Sequence, residues 1–334
     1  MKIEKTDQQE KVLRAMLCMT RQCWEQGMAA QCLSELGREE ELSLVVYDMV
    51  RRQSSDGRLC NIENTPAVTD SAFCIPAVMD YARKTGDDAC RKAAEKNIRF
   101  LREDAERAED GTLYHMIHTK EIWADSAAYM PYALAKAGYA EEALVQMEGI
   151  CRRLYDEKTG LYAHKWDEGQ KDFIRADLWG IGNGWILTGL MRLYSEIPPS
   201  RARERAELLR RMRSLLDALL SHETKDHVFH DVLDRPETFT ESETGAMTAY
   251  TIYKCIGEGI LDKAYAGRAD RICDALKGRV SDAGLVCQAA GSPDFLTPGT
   301  SVECQAHFLL MQHYRNGRRA LSKTISSGRN QPET

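Results

Sequence analysis

Apolar residues recur along most of this chain at spacings of three and four, the period of a helix with one buried face. Two classes of helix separate on charge. Segments 22–36, 70–84, 125–137, 183–196, 242–257 and 301–314 are apolar, rich in small residues and poor in charge. Segments 39–53, 87–107, 139–154, 200–221 and 262–278 are amphipathic and heavily charged. A charge-poor helix must be buried on most faces, whereas a charged one can leave a face in water. The two classes alternate strictly, which predicts an inner layer of helices wrapped by an outer one. Six inner helices have only five outer partners after them. The charged segment 5–19 is left over and is expected to supply the sixth by packing beside segment 301–314. The predicted fold is therefore all-α, an (α/α)6 toroid, as one domain over residues 1–316 with a polar tail over 317–334.

A short turn motif recurs five times, ahead of the inner helices. The copies are Asp56-Gly57-Arg58-Leu59, Asp110-Gly111-Thr112-Leu113, Thr159-Gly160-Leu161-Tyr162, Asp226-His227-Val228-Phe229 and Asp282-Ala283-Gly284-Leu285-Val286. Asp and Gly tolerate the positive φ of a tight turn. The connections from inner to outer helix are short (Gly37-Arg38, Thr85-Gly86, Gly138) and those back to the inner helices are long. All long loops then open at one end of the toroid, where inner-helix N-termini expose N–H groups and favour anionic groups. A ligand site is expected there.

Composition narrows the partners. With 43% hydrophobic residues the chain can build a core, and a net charge of −6 without a basic face argues against nucleic acid. No run of about 20 apolar residues occurs, so no membrane span is expected, and the charged first ten residues do not read as a signal peptide. Eleven cysteines, scattered and without a CxxC pair, read as buried thiols in a reducing cytoplasm.

Two inner helices open alike: Thr69-Asp70-Ser71-Ala72-Phe73-Cys74-Ile75-Pro76 and Ala124-Asp125-Ser126-Ala127-Ala128-Tyr129-Met130-Pro131. Packed helix axes lie about 8–10 Å apart, so Asp70 and Asp125 could flank a sugar and a water as a carboxyl pair. The alternative is that both are helix caps. Four of the five tryptophans fall between 123 and 185, and the loops also carry His115, His118, His164, His227 and His230. Tryptophan faces stack on sugar rings. No HExxH-like set is present, and no metal or cofactor is expected. Trp179-Gly180-Ile181-Gly182-Asn183-Gly184-Trp185 lacks a preceding strand and the third glycine of a dinucleotide fingerprint. It reads as a flat glycine turn that brings two tryptophans to a ligand.

Taken with Trp24-Glu25-Gln26-Gly27, Ile122-Trp123-Ala124-Asp125, Gly160 to Asp167 and Glu241-Ser242-Glu243-Thr244-Gly245-Ala246-Met247, these stretches resemble the unsaturated glycuronyl hydrolases of glycoside hydrolase families 88 and 105. The resemblance runs from Trp24 to about Leu310. It implies a hydrolase that protonates C4 of a C4=C5 unsaturated uronic acid, adds water at C5 and releases the partner sugar of a small oligosaccharide. It implies Asp125 as the proton-exchanging carboxyl, with Asp70 and His164 assisting. An upward-shifted pKa would suit Asp125. Trp24, His115, Trp123, Trp179, Asn183 and Trp185 are the implied substrate contacts. Ile181 and Met116 stand where basic residues are common, which predicts a preference for a less polar leaving side. An inverting glycosidase, a sugar epimerase using His227 and His230, or a non-catalytic sugar-binding protein are the alternatives.

Overall fold

The structure, a computed structural model, describes residues 7–61 and 65–328, with side chains as far as Arg318. Among the described residues twelve α-helices alternate as the charge pattern requires. The inner helices are α2 (Cys23–Leu36), α4 (Ile75–Thr85), α6 (Met130–Lys136), α8 (Gly180–Glu196), α10 (Glu243–Gly257) and α12 (Val302–Gly328). The outer ones are α1 (Asp7–Met19), α3 (Glu39–Arg51), α5 (Asp88–Arg99), α7 (Ala140–Leu154), α9 (Ala202–Ser221) and α11 (Ala266–Lys277). Each inner helix packs on the next, and α12 packs back on α2, closing the ring. Each of α2 to α10 packs on the outer helix that follows it, and α1 packs on α12, so the N-terminal segment closes the sixth hairpin. The core follows: Ala29, Ala133, Leu187, Ala249 and Phe308, one from each of five inner helices, are fully buried.

The expected tail is shorter than the composition implies. Helix α12 continues through 317–328, and Arg315, almost fully buried, pairs with Asp270 and Asp274 of α11 while Arg318 pairs with Asp270. These basic residues are polar in composition but are held by acids of an outer helix. Residues 329–334 lie outside the described residues.

The turn motifs have one construction. Each holds a residue at positive φ: Gly57 (106°), Gly111 (88°), Gly160 (74°), His227 (61°) and Gly284 (89°). In four of them the N–H two residues later donates to a buried side-chain amide: Leu59 to Asn97, Leu113 to Gln146, Tyr162 to Asn183 and Val286 to Gln305. A buried N–H left unpaired costs about 1–3 kcal/mol, so these amides pin each long loop to the helix layer.

At the loop end lie three small antiparallel sheets. The largest joins β1 (Glu121–Trp123), β2 (Lys165–Asp167) and β3 (Asp172–Arg175), with Lys165 opposite both Trp123 and Arg175. Helices 2 and 3 of the inner ring do not start as continuous α-helices. Asp70–Phe73 and Ala124–Ala127 form short 3-10 turns, and the α-helices begin five residues after each Asp, with Pro76 and Pro131 in the first turn. Proline lacks an N–H and disfavours helix in the residue before it, so it starts a helix more readily than it continues one.

Two glycines let these turns sit close to the axis. A Cβ on Gly27 of α2 would lie 2.4 Å from the Phe73 carbonyl carbon, and one on Gly189 of α8 would lie 2.0 Å from the Ala127 carbonyl oxygen. The obstructing atoms are backbone of the very turns that carry Asp70 and Asp125. Gly189→Ala is expected to destabilise the fold by about 1–3 kcal/mol through overpacking, read as a lower denaturation midpoint. A midpoint unchanged from the wild type would contradict the close approach.

Candidate active site

Asp70 and Asp125 line one cavity at the loop end of the toroid, shared with Trp24, Phe73, His115, Trp123, Trp179, Ile181, Trp185, Glu243, Phe295 and Glu303. Its volume, about 130 Å³, amounts to a few waters at roughly 30 Å³ each, the scale of one sugar ring. The Asp70 and Asp125 side chains keep 14% and 24% of their surface, enough for a ligand to reach both. Neither carboxyl is the N-cap of its turn: those positions fall on Thr69 and Trp123.

The backbone brings the two aspartates together through His115. Its carbonyl accepts from Val68 N–H (2.7 Å), and its own N–H donates to Glu121 (2.7 Å). Its Nδ1 meets both the Thr69 hydroxyl (2.8 Å) and the Ser126 hydroxyl (3.0 Å), the neighbours of Asp70 and Asp125. His115 thus faces the cavity and also fixes the spacing of the two turns. Burial pushes its pKa down to about 4, so it is neutral at pH 7.

His164 belongs to Asp125. The Ala124 N–H donates to the His164 carbonyl (2.9 Å), and His164 Nε2 lies 3.1 Å from Asp125 Oδ2. On its other side Arg175 Nη1 lies 3.2 Å from Nδ1. A guanidinium only donates, so Nδ1 carries the lone pair and Nε2–H donates to Asp125. Burial lowers the pKa of His164, consistent with a neutral ring.

The charge states of the pair reverse the expectation from sequence. Asp70 is pushed up to about 7, first by burial and then by the Asp125 charge. Asp125, expected to be raised, is instead held below the usual carboxylate range: burial opposes its ionisation, but the His164 ring outweighs it, with His115 and Lys165 adding to the effect. With His164 neutral, its hydrogen bond and the Lys165 ammonium are the parts of that effect present at pH 7. A histidine within hydrogen-bond distance of Asp125 (3.1 Å), against His115 Nε2 at 3.6 Å from Asp70, separates them, a difference residue type alone could not reveal.

The expected substrate contacts divide. Trp24, Trp123, Trp179 and Trp185 all face the cavity, with the Trp24 indole donating to Glu303 (2.6 Å) and that of Trp179 to Asp231 (3.0 Å). Trp123 stacks on His115 with centroids 4.0 Å apart. Asn183 does not face the cavity. It is fully buried, accepts from Tyr162 N–H, and donates to the Tyr162 and Trp179 carbonyls, which uses both of its amide N–H groups. Its position matches Asn97, Gln146 and Gln305 as a loop anchor. The segment 179–185 is the first turn of α8 rather than a flat glycine turn: Gly180 and Gly184 admit Thr244 and Met247 of α10, so the glycines serve helix packing. His227 pairs with Glu223 and His230 with the Thr238 carbonyl, and neither lines the cavity, which removes the support for an epimerase.

Glu243 and Glu303 were not singled out by the sequence reading, yet both line the cavity. The signal was present. The first turns of inner helices one, two, three, five and six carry Glu25, Asp70, Asp125, Glu243 and Glu303. Burial raises both extra glutamates, Glu303 to about 7, with neighbouring carboxylates adding to the effect.

The sequence pattern of Glycosyl Hydrolase Family 88 matches residues 4–309. The chain belongs to this family. It is similar to the unsaturated rhamnogalacturonyl hydrolase YesR of Bacillus subtilis, with 26% identity over 281 residues, 77% of this chain and 78% of the relative. In structure it resembles a possible family-105 member from Salmonella enterica (TM-score 0.80, 17% identity, 93% of each chain). It also resembles the unsaturated glucuronyl hydrolase of Bacillus sp. GL1 (TM-score 0.68, 16% identity, 88% of this chain and 86% of that one). The protein is a family 88 glycoside hydrolase with the six-hairpin (α/α)6 toroid. Among its described residues no helix is long and apolar enough to cross a membrane.

Proposed function

We propose that this family 88 hydrolase removes a C4=C5 unsaturated uronic acid from the end of a small oligosaccharide by hydrating the double bond. The observation that carries the reading is the carboxyl pair in one small aromatic cavity, one ionised beside His164 and the other holding a proton near neutral pH. An enol-ether double bond needs a proton at C4 and water at C5. The π electrons take the proton at C4, and the ring oxygen stabilises the positive charge at C5. Water adds there and loses a proton. The C5 hemiketal then opens to a ketone, its ring oxygen keeping a proton, and C1 becomes a hemiacetal that expels the partner sugar as an alcohol.

Asp125 is assigned the proton exchange with C4 and with the water, because His164 orients it and the Lys165 ammonium acts on it with positive charge. Asp70 holds the pair's one proton between turnovers and passes it to Asp125 when the substrate is bound, so that Asp125 can give it to C4 and recover one from the water. A coupled pair of this kind works as a unit with shared macroscopic pKa values. The rate is expected to fall as pH rises through about 7, when the pair loses its single proton. A kcat/KM profile flat from pH 6 to 9 would contradict this.

Ile181 is buried in the cavity wall with Trp179 and Trp185. An arginine there could add a charge-assisted hydrogen bond worth about 1.5–3 kcal/mol. We therefore infer a neutral leaving sugar. Ile181→Arg should shift the ratio of kcat/KM for an acidic over a neutral leaving group by roughly tenfold, about 1.4 kcal/mol; an unchanged ratio would remove Ile181 from specificity. Eleven free cysteines, nine of them buried, support placement in a reducing cytoplasm. The experiment for the reading as a whole is a turnover assay across unsaturated uronide disaccharides, with saturated uronides as the control that should stay intact.

A further inference from the structure

A uronate brings a negative charge into a cavity already lined by Asp70, Asp125, Glu243 and Glu303. Something must offset it, since like charges repel strongly where water is excluded. Two cations stand against the aromatic wall of the cavity, Lys165 over the Trp123 ring and Arg175 over that of Trp179. Lys165 of β2 and Arg175 of β3 are direct cross-strand partners. Like charges placed opposite on neighbouring strands are destabilising, so the sheet keeps this pair at a cost.

The two cations are not equally committed. Arg175 donates through Nε to Asp177 (2.8 Å) and through Nη1 to His164 (3.2 Å), which ties it to the Asp125 partner. Lys165 makes no ion pair or hydrogen bond with a carboxylate among the described residues. Its Nζ rests 3.3 Å from the centroid of the Trp123 ring, placed there by the direct Trp123–Lys165 pairing of β1 and β2. His115 stacks on the same indole at 4.0 Å. Two groups so close cannot share a face, so the imidazole and the ammonium lie on opposite faces. Trp123 is therefore not a free platform for a sugar ring; its ring separates the residue that spaces the aspartates from an uncommitted cation. An ammonium–indole contact is worth about 0.5–2 kcal/mol, less than a desolvated ion pair, so an incoming carboxylate can draw Nζ away from it.

We propose that Lys165 receives the carboxylate of the unsaturated uronate and sets the enzyme's selectivity for an acid over a neutral sugar at that position. The inference rests on the hydrolase reading above and assigns one contact within it. Arg175 stays with His164 and Asp177, and the Lys165 ammonium swings from Trp123 to the C5 carboxylate. That contact sets the double bond beside Asp125, with which Lys165 already interacts electrostatically. It also supplies the positive charge that Ile181 and Met116 do not. A carboxylate on the leaving sugar presents the same chemistry from a second source, and the test separates the two.

The test compares wild type, Lys165→Met and Lys165→Arg on an unsaturated uronide with a neutral leaving sugar, its methyl ester, and an unsaturated uronide with an acidic leaving sugar. Wild type should prefer the acid to its methyl ester by roughly 10- to 100-fold in kcat/KM, and KM for the acid should rise with salt. Lys165→Met should lose both the preference and the salt dependence, mostly through KM, and Lys165→Arg should recover part of each. A Met variant that still prefers the acid as wild type does would overturn the proposal. A loss confined to the acidic leaving sugar would move the contact to the leaving side and equally overturn the assignment. Binding of glucuronate, followed by tryptophan fluorescence, keeps the two claims apart. If wild type binds glucuronate but turns over no unsaturated uronide, the hydrolase reading fails, and the Lys165 assignment stands only if Lys165→Met weakens that binding about tenfold or more.

Discussion

Asp125→Asn is expected to lower kcat/KM on an unsaturated uronide by about 10³- to 10⁴-fold, the upper part of the range for a positioned acid–base group. The size follows from double use: the same carboxyl gives a proton at C4 and takes one from the water at C5, and an amide does neither. The fold should survive. Asp125 caps no helix, and its hydrogen bond from His164 Nε2 can pass to the amide oxygen of Asn. The variant should therefore melt close to wild type and still bind glucuronate. Turnover within tenfold of wild type would remove Asp125 from the chemistry; loss of folding would leave the activity result without meaning, which makes the melt part of the experiment.

Asp70→Asn should give the other large effect, and in two directions at once. Turnover should drop by about 10²- to 10³-fold because the pair can no longer keep its proton. Stability should rise at high pH. The folded-state pKa of Asp70, about 7, lies above the ordinary value of 3.8. Between those values the folded protein holds a proton that the unfolded chain releases. The stabilising effect of that proton is full below about pH 4 and is lost as pH rises through 7. At pH 8 the ionised, buried carboxylate is a burden on the order of 4 kcal/mol, at about 1.4 kcal/mol per pKa unit. An amide carries no such burden. The midpoint of Asp70→Asn relative to wild type should thus be higher at pH 8 than at pH 4. A variant less stable than wild type at pH 8, or a difference independent of pH, would show that Asp70 is not kept neutral by its surroundings.

The same substitutions mark how far the residues alone reach. The toroid was legible because it rests on averages: charge content splits the helices into two layers, and the count of inner helices demands that the segment 5–19 close the ring, where α1 (Asp7–Met19) lies. The pairing of Asp70 with Asp125 was legible because two inner helices share their opening words. What stayed hidden depends on single contacts. Asn183 sits in a motif full of tryptophan and glycine, yet its amide is spent on Tyr162 and Trp179. Only the shared offset of two residues from each positive-φ turn identifies it as one of four loop anchors. The pKa order of the aspartates depends on which one a histidine donates to, and His164 lies 39 residues beyond Asp125. Glu243 and Glu303 were hidden for another reason: an acid near a helix start reads as dipole compensation, and only closure of the ring brings these two into one cavity with Asp70 and Asp125, while Glu25 stays with the backbone of Arg21 and Gln22.

The most direct test of the account is hydrolysis of an unsaturated uronide disaccharide in D₂O, followed by NMR as the ultraviolet absorbance of the conjugated double bond decays. Protonation at C4 by a solvent-exchanging carboxyl predicts that the released 5-keto uronate carries one deuterium at C4, that the partner sugar appears with the same time course, and that Asp125→Asn abolishes both. Release of the partner sugar with the double bond intact, or without deuterium at C4, would contradict hydration of the double bond by the Asp70–Asp125 pair.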